Sequence, residues 1–211
     1  PYTTLFRSPY VIGTFSPLTG RVTSWPSVVE HCELFVVFGG LALKNAQVSS
    51  GGAVEHALKP WLQKLAHKGT PVVNISPMRD DCPGFVNAEW IPIRPNTDVA
   101  LMLALAYEIQ RLGAQDEAFL HSHCVGYQQL ADYLNGVSDG VAKTPAWASA
   151  ITGIPAARIA LLARQLIGVR SFITCSYSVQ RAHRGEQPYW MMIALSSMLG
   201  QVGLPGGGFS F

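Results

Sequence analysis

The sequence predicts an α/β fold built on a mostly parallel sheet, and three observations predict it. Leu34–Phe38, Pro71–Ile75 and Ser171–Cys175 are short apolar runs of strand length. Stretches with helical spacing of apolar residues lie between them. Glycine and proline clusters punctuate the joins, the pattern of strand, helix and strand in alternation.

Taken in order, Leu34–Phe38 reads as a strand buried on both faces and ends in Gly39 and Gly40. A polar loop with Asn45 and Ser49 to Gly52 leads to a helix near Ala53 to His67, closed by Lys68 and Gly69. Pro71–Ile75 returns as a second strand, giving a βαβ unit expected to be parallel and right-handed. After the loop Ser76 to Pro83 comes a short strand, Glu89 to Ile93, and a helix to about Leu112 that Asn96 or Thr97 can cap. Helices near Asp116 to His121, Tyr127 to Leu134, Pro145 to Ile151 and Pro155 to Leu166 follow, with Thr152 and Gly153 breaking the last two. Ser171–Cys175 is the next strand. A final helix starts near Pro188, since proline suits a first helical turn.

Composition excludes several classes. With 211 residues, 48% hydrophobic and 13% charged, the chain is globular rather than disordered. A net charge of +2, with no basic run longer than Arg181 to Arg184, gives no case for nucleic acid. Val99 to Ala106, the longest apolar stretch, is far too short to cross a bilayer. Cys32, Cys82, Cys124 and Cys175 lack metal-ligand spacing and read as reduced thiols, so no metal ligand is assigned. The histidines share no ligand spacing, since His121 and His123 fall on different faces of a helix. No Ser, His and Asp order supports a hydrolase.

The candidate site has two parts. Gly39 with Gly40, Ser76 to Arg79, and Asn96 to Asp98 fall at carboxyl ends of strands, where open parallel sheets bind ligands. Asp98 can accept hydrogen bonds from a guanine edge or simply stabilise a first helical turn. The second part is the tail from Ser176, where Arg181, His183 and Arg184 precede Gly185, Glu186, Gln187 and the final helix. Basic side chains beside a helix N-terminus suit an anion such as a pyrophosphate. Glu186 reads equally as a first-turn acid, and turn geometry alone explains Gly206 to Gly208.

QRAHRGEQPYW and MLGQVGLPGGGF in this tail resemble segments of the dimethyl sulfoxide, trimethylamine N-oxide and biotin sulfoxide reductase family. TSWP from Thr23, LFVVFGG from Leu34, SPMRDD from Ser76, NTDVALMLALAY from Asn96 and AWASAITGIPAARI from Ala146 keep that family's order over nearly the whole chain after Pro9. The resemblance implies a molybdenum enzyme carrying two molybdopterin guanine dinucleotides. It implies a Rossmann-like domain over residues 9–170 and, from residue 171 to 211, part of an adjacent second α/β domain.

Carried over position by position, Gly40, Asn45, Pro77 and Arg79 match the first dinucleotide's loops, with Gly39, Asn96, Thr97 and Asp98 on the same rim. Ser76 stands where aspartate is usual, and Val48 where some trimethylamine N-oxide reductases carry lysine. Gln180 and Arg181 match a pair near the metal pocket. Tyr177 replaces a tryptophan there; Gly185, Glu186 and Gln187 match a family motif that contacts the second dinucleotide or its support, and Ser176 is a further candidate contact to the cofactor. Arg181 is the implied catalytic residue, polarising the oxygen of a sulfoxide or N-oxide substrate.

The family's serine ligand to molybdenum lies upstream of TSWP, and no matching motif occurs in Pro1 to Arg21. Pro1 to Ser8, PYTTLFRS, reads as the translation of a sequencing adapter and is set aside. The expectation is an internal fragment, from environmental DNA, of an S- or N-oxide reductase, inactive alone. Its compartment, periplasmic or cytoplasmic in bacteria, and its electron donor are not legible. The alternatives are a nicotinamide-binding module, weakened because GGLALKN supplies no G-x-G-x-x-G, and a noncatalytic nucleotide-binding subunit.

Overall fold

In the computed structural model, residues 23–46 and 56–210 are described. The expectations placed on Pro1 to Ser8, Val48, Ser49 to Gly52 and the start of a helix at Ala53 lie outside them.

Every residue of Leu34–Phe38 is buried, and this run forms β1 at the middle of the sheet. With β2 (Val72–Ile75), β3 (Glu89–Ile91), β4 (Ser171–Cys175) and β5 (Gly208–Ser210), the order is β3-β2-β1-β4-β5. All four pairings are parallel, with Phe38 opposite Ile75 on one side and Cys175 on the other. The α/β class expected from the strand-helix alternation is therefore present. β4 lies directly against β1, so the stretch expected to lead into a neighbouring domain supplies two strands of the same sheet. Stacked rings of Phe35 and Phe172, with centroids 5.3 Å apart, add side-chain packing across the ladder that joins them.

Alternation along β1 divides the core. Leu34, Val36 and Phe38 face a large cluster filled by α3 (Asp98–Arg111), α6 (Pro145–Thr152), α7 (Ala156–Leu166) and α8 (Glu186–Met198). Phe35 and Val37 face a smaller cluster with α1 (Trp25–His31) and α2 (Leu58–Lys68). Two short helices, α4 (Glu117–His123) and α5 (Tyr127–Leu134), pack outside against α8 and α3. Among the described residues no single helix is long and apolar enough to cross a membrane. Burial pushes the Cys32 and Cys82 thiols up to about 11, so both are protonated at neutral pH.

Several boundaries follow local chemistry. Gly69, at φ 78°, ends α2 by donating its N–H to Ala66. Asp116 and Thr144 cap α4 and α6 through their side-chain oxygens. Thr97 occupies the cap position of α3, yet its hydroxyl donates to the Arg94 carbonyl at 2.7 Å instead of accepting a helix N–H. Asn96 precedes it in the left-handed region, at φ 63°. α8 begins at Glu186, two residues before Pro188, which falls in its first turn.

Two elements escape the sequence reading. α1 has only seven residues and is held by Trp25 stacked at 6.0 Å on Phe35. β5 has three residues and exists through its ladder with β4. Gly206 to Gly208 bring the chain into β5 past α1: the Gly206 N–H donates to Ser27 Oγ at 2.9 Å, and a Cβ at Gly206 would stand 2.7 Å from the Cys32 nitrogen. Close backbone passage, rather than a ligand loop, accounts for these glycines.

Candidate functional site

The strand order reverses between β1 and β4, and the carboxyl ends of those strands carry Gly39 and Ser176. A ligand crevice belongs at such a reversal, because the connections on either side diverge to opposite faces. Gly39 and Gly40 both have positive φ, 81° and 87°, a conformation that costs a residue with a Cβ about 1–2 kcal/mol.

Each glycine receives a different neighbouring loop. A Cβ at Gly39 would stand 2.6 Å from Val179 Cγ2 and 3.1 Å from Ser176 Cβ, on the loop after β4. A Cβ at Gly40 would overlap the Asp81 side chain and stand 2.9 Å from its carbonyl oxygen, on the loop after β2. The pair therefore draws the loops of β2 and β4 in on either side of β1.

On the β2 side, Ser76 is fully buried and its hydroxyl is engaged. It donates to Asp81 Oδ2 at 2.8 Å and accepts from the Met78 N–H at 3.2 Å. Pro77 and Arg79 are exposed beyond it, and Asn45 is exposed on a short 3-10 turn, Leu43–Ala46, after Gly40. On the β4 side, Ser176 Oγ lies 2.8 Å from Ser178 Oγ, and the Ser176 carbonyl accepts the Tyr189 hydroxyl at 2.8 Å. The 3-10 turn Val179–Arg181 follows, with Arg181 exposed.

Gly185 is packed so closely that a Cβ would fall on the Gln180 carbonyl oxygen. Its missing side chain thus joins the Arg181 turn to the start of α8. Glu186 and Gln187, both half-buried, open that helix, and Arg184 before it takes φ 56°. His183 and Arg184 are exposed on the same connection.

Asp98 is buried as the first residue of α3. Burial raises its pKa, and its charge in turn adds to the burial that holds the Cys175 thiol well above the usual range. Tyr189 is raised mainly by burial and also feels Cys175 and Asp98. These three groups meet at the end of β4 on the α3 and α8 side, whereas Asn96 and Thr97 beside Asp98 are exposed and half-buried.

Of the buried side chains with an atom lacking a hydrogen-bond partner among the described residues, two lie on the strands and loops around the glycine pair. Asn74 in β2 is 1% exposed, and neither atom of its amide has a hydrogen-bond partner among the described residues. Gln180 Oε1 is likewise buried and unpaired. Buried polar atoms are ordinarily satisfied; Gln180, on the loop after β4, suits a group that arrives from outside the chain, whereas Asn74 stands opposite Val37 on the sheet face packed by α1 and α2. The residues thus fit a phosphate-bearing ligand: a glycine cradle that any Cβ would fill, exposed cationic side chains and the orphaned Gln180 oxygen.

Asp81, Tyr189 and Asn74 are absent from the sequence-based candidates. The second of two acids after Arg79, and one asparagine within VVNI, were the available signals. A cavity of about 280 Å³ lined by His31, Glu33, Arg170 and Pro205 sits at the opposite, amino end of β1 and β4. Among the described residues no group of three or more His, Cys, Asp or Glu side chains could hold a metal ion.

A parallel sheet flanked by helices, with paired positive-φ glycines where its order reverses, is an α/β module with a place for a ligand at that reversal. The family model for molybdopterin oxidoreductases matches residues 14–211, and the chain belongs to that family, whose cofactor is molybdopterin. A biotin sulfoxide reductase of Cereibacter sphaeroides is 44% identical over 96% of this chain and 27% of its own length. A dimethyl sulfoxide/trimethylamine N-oxide reductase of the same organism is 39% identical over 95% of the chain and 24% of its own length. A trimethylamine-N-oxide reductase of Haemophilus influenzae is 35% identical over 95% of the chain and 24% of its length. The chain therefore spans about a quarter of the relatives it matches. Acetylene hydratase from Pelobacter acetylenicus shares the fold, with a TM-score of 0.67 at 19% identity over 85% of this chain and 23% of that one.

Proposed function

We propose that the chain is a cofactor-binding part of a molybdenum-dependent S- or N-oxide reductase and binds molybdopterin in its bis guanine dinucleotide form. The observation that carries the reading is the Gly39–Gly40 pair at the reversal between β1 and β4, with a loop packed on each glycine. Backbone can approach a pyrophosphate closely only where no side chain intervenes. The names of the relatives, biotin sulfoxide reductase and dimethyl sulfoxide/trimethylamine N-oxide reductase, support the substrate class.

In this reading Gly39, Gly40 and Asn45 hold one dinucleotide with Pro77, Arg79 and the Asn96 to Asp98 turn. Ser76, its hydroxyl already engaged, supports the loop from beneath. Ser176, Gln180, Glu186 and Gln187 serve the second dinucleotide, and Gly185 lets the Gln180 turn close on α8. When bound, the molybdenum cofactor supplies oxygen-atom acceptance and electron transfer. The chain's contribution to chemistry is Arg181, whose guanidinium hydrogen-bonds the oxide oxygen as negative charge grows on it. Two electrons and two protons convert the substrate to the sulfide or amine plus water.

The test uses the full-length parent. It is expected to contain molybdenum and to release GMP on acid hydrolysis, and to oxidise reduced viologen with dimethyl sulfoxide, trimethylamine N-oxide or biotin sulfoxide. Arg181→Lys is expected to lower kcat by about a hundredfold while leaving GMP content unchanged. A matured parent without molybdopterin overturns the proposal.

A further inference from the structure

We propose that Asp81 is the positioning residue of the rim, locking the Gly40 turn to the loop after β2 so that the two present one rigid surface to the dinucleotide. The inference rests on the dinucleotide reading above. The contacts that carry it converge on this residue from the ends of β1 and β2.

Asp81 Oδ2 accepts the Ser76 hydroxyl at 2.8 Å, directly after β2. Its carbonyl accepts the Leu41 N–H at 2.7 Å, directly after the glycine pair. Its own N–H donates to the Met78 carbonyl at 3.4 Å, closing the 3-10 turn Arg79–Asp81. Ser76 is tied in turn to β3, because the Trp90 indole N–H donates to the Ser76 carbonyl at 2.9 Å. Gly40 lies against Asp81 with no space for a Cβ between them.

Leu41 N–H belongs to the peptide that follows Gly40, so the carbonyl bond fixes how that peptide is turned. Glycines with positive φ have other accessible states nearby, and a turn made of two of them holds one state only when something external selects it. Asp81 makes that selection before any ligand arrives, which lowers the ordering cost of binding. The Ser76 bond aims the Asp81 side chain, and Ser76 has no hydroxyl proton left for the ligand.

The test compares Asp81→Ala, Asp81→Asn, Ser76→Ala and the double variant Asp81→Ala/Ser76→Ala in the full-length parent. The readouts are GMP retained per polypeptide after dialysis, hydrogen exchange of the amides at residues 39–41, and thermal midpoint. Asp81→Ala keeps the main-chain carbonyl that Leu41 uses but loses the Ser76 bond that holds the Arg79–Asp81 turn in place, and is expected to speed exchange at Leu41 and cofactor loss by about tenfold, the weight of one ordinary hydrogen bond. Asp81→Asn keeps an acceptor oxygen for Ser76 and is expected to stay within about twofold of wild type. The double variant is expected to be no worse than Asp81→Ala alone, since both changes break one bond.

Wild-type exchange and retention in Asp81→Ala, with or without a lower midpoint, overturns the inference. So does an Asp81→Asn variant as poor as Asp81→Ala, which makes the charge rather than the clasp the determinant. A wild-type parent that holds no GMP defeats the dinucleotide reading instead, and in that case exchange at Leu41 still decides whether the clasp exists.

Discussion

Lys143 and Asn74 are each 1% exposed, and the chain treats them in opposite ways. Lys143, on the connection from α5 to α6, donates to both Asp139 carboxylate oxygens, at 2.8 and 2.7 Å, and to the Val141 carbonyl. Its ammonium also lies 4.1 Å from the centre of the Tyr133 ring and 5.6 Å from that of Trp147. Asn74, in β2 beside the rim, has no partner for either amide atom among the described residues. A buried charge that serves architecture is completed by its own chain, because leaving it open is costly. A buried neutral amide left open costs far less than an open charge, and is tolerable where the complete protein supplies the missing bond.

The comparison can be broken most forcefully at Lys143. Lys143→Met removes the charge-assisted bonds and both ring contacts, and is expected to destabilise the chain by about 3 kcal/mol in urea unfolding. GMP retention by the parent should not change. A neutral result there would mean that the Lys143 contacts add nothing to stability.

Next in size is a contrast between two glycines of similar φ. Gly69→Ala, at φ 78° with nothing within 4 Å, should cost only the backbone strain, about 1 kcal/mol. Gly39→Ala adds a contact with Val179 and Ser176 and should cost about 2–3 kcal/mol, together with weaker cofactor retention. Equal costs would remove the argument that the rim glycines serve loop approach.

At Asn74 the sign itself is diagnostic. Asn74→Leu replaces an orphaned amide by an apolar group and should stabilise the isolated chain by about 1 kcal/mol. In the cofactor-loaded parent the same change should lose that gain, read as the difference between the two thermal shifts.

The smallest effect is at Asp98. Burial raises its folded pKa above the ordinary value near about 4, so the folded state holds the proton more tightly than the unfolded one. Its favourable contribution is complete below the unfolded pKa and is lost as pH rises through the folded pKa. Asp98→Asn abolishes that loss. The variant's advantage over wild type in urea midpoint should therefore grow as pH rises from about 4 to about 7.

Much of the scaffold was legible from local chemistry. The apolar run Leu34–Phe38, the glycine stop at Gly69 and the proline start at Pro145 each announce an element through forces acting within a few residues. Trp25–His31 was not legible because its hold comes from a ring stacked on another element, and β5 because three residues carry no periodicity. Within the site, Gly40 was readable as a rim glycine, but its partner Asp81 was not. Nothing in RDD tells which acid will face a glycine about forty residues earlier in the chain, since that depends on the β1–β2 register. Thr97 illustrates the reverse: it was, with Asn96, one of two candidate caps, yet the nearby Arg94 carbonyl takes its hydroxyl.

The sequence by itself determined the α/β alternation, the strand that leads to Gly39 and Gly40, and the basic turn with Arg181, because propensity, periodicity and backbone permissiveness are local. Only the tertiary structure decided that β4 lies against β1, that Asp81 seals the Gly40 turn, and that Lys143 is satisfied while Asn74 is not. Those outcomes depend on pairing and burial between distant segments, where free energy is set by which groups meet rather than by what each residue prefers alone.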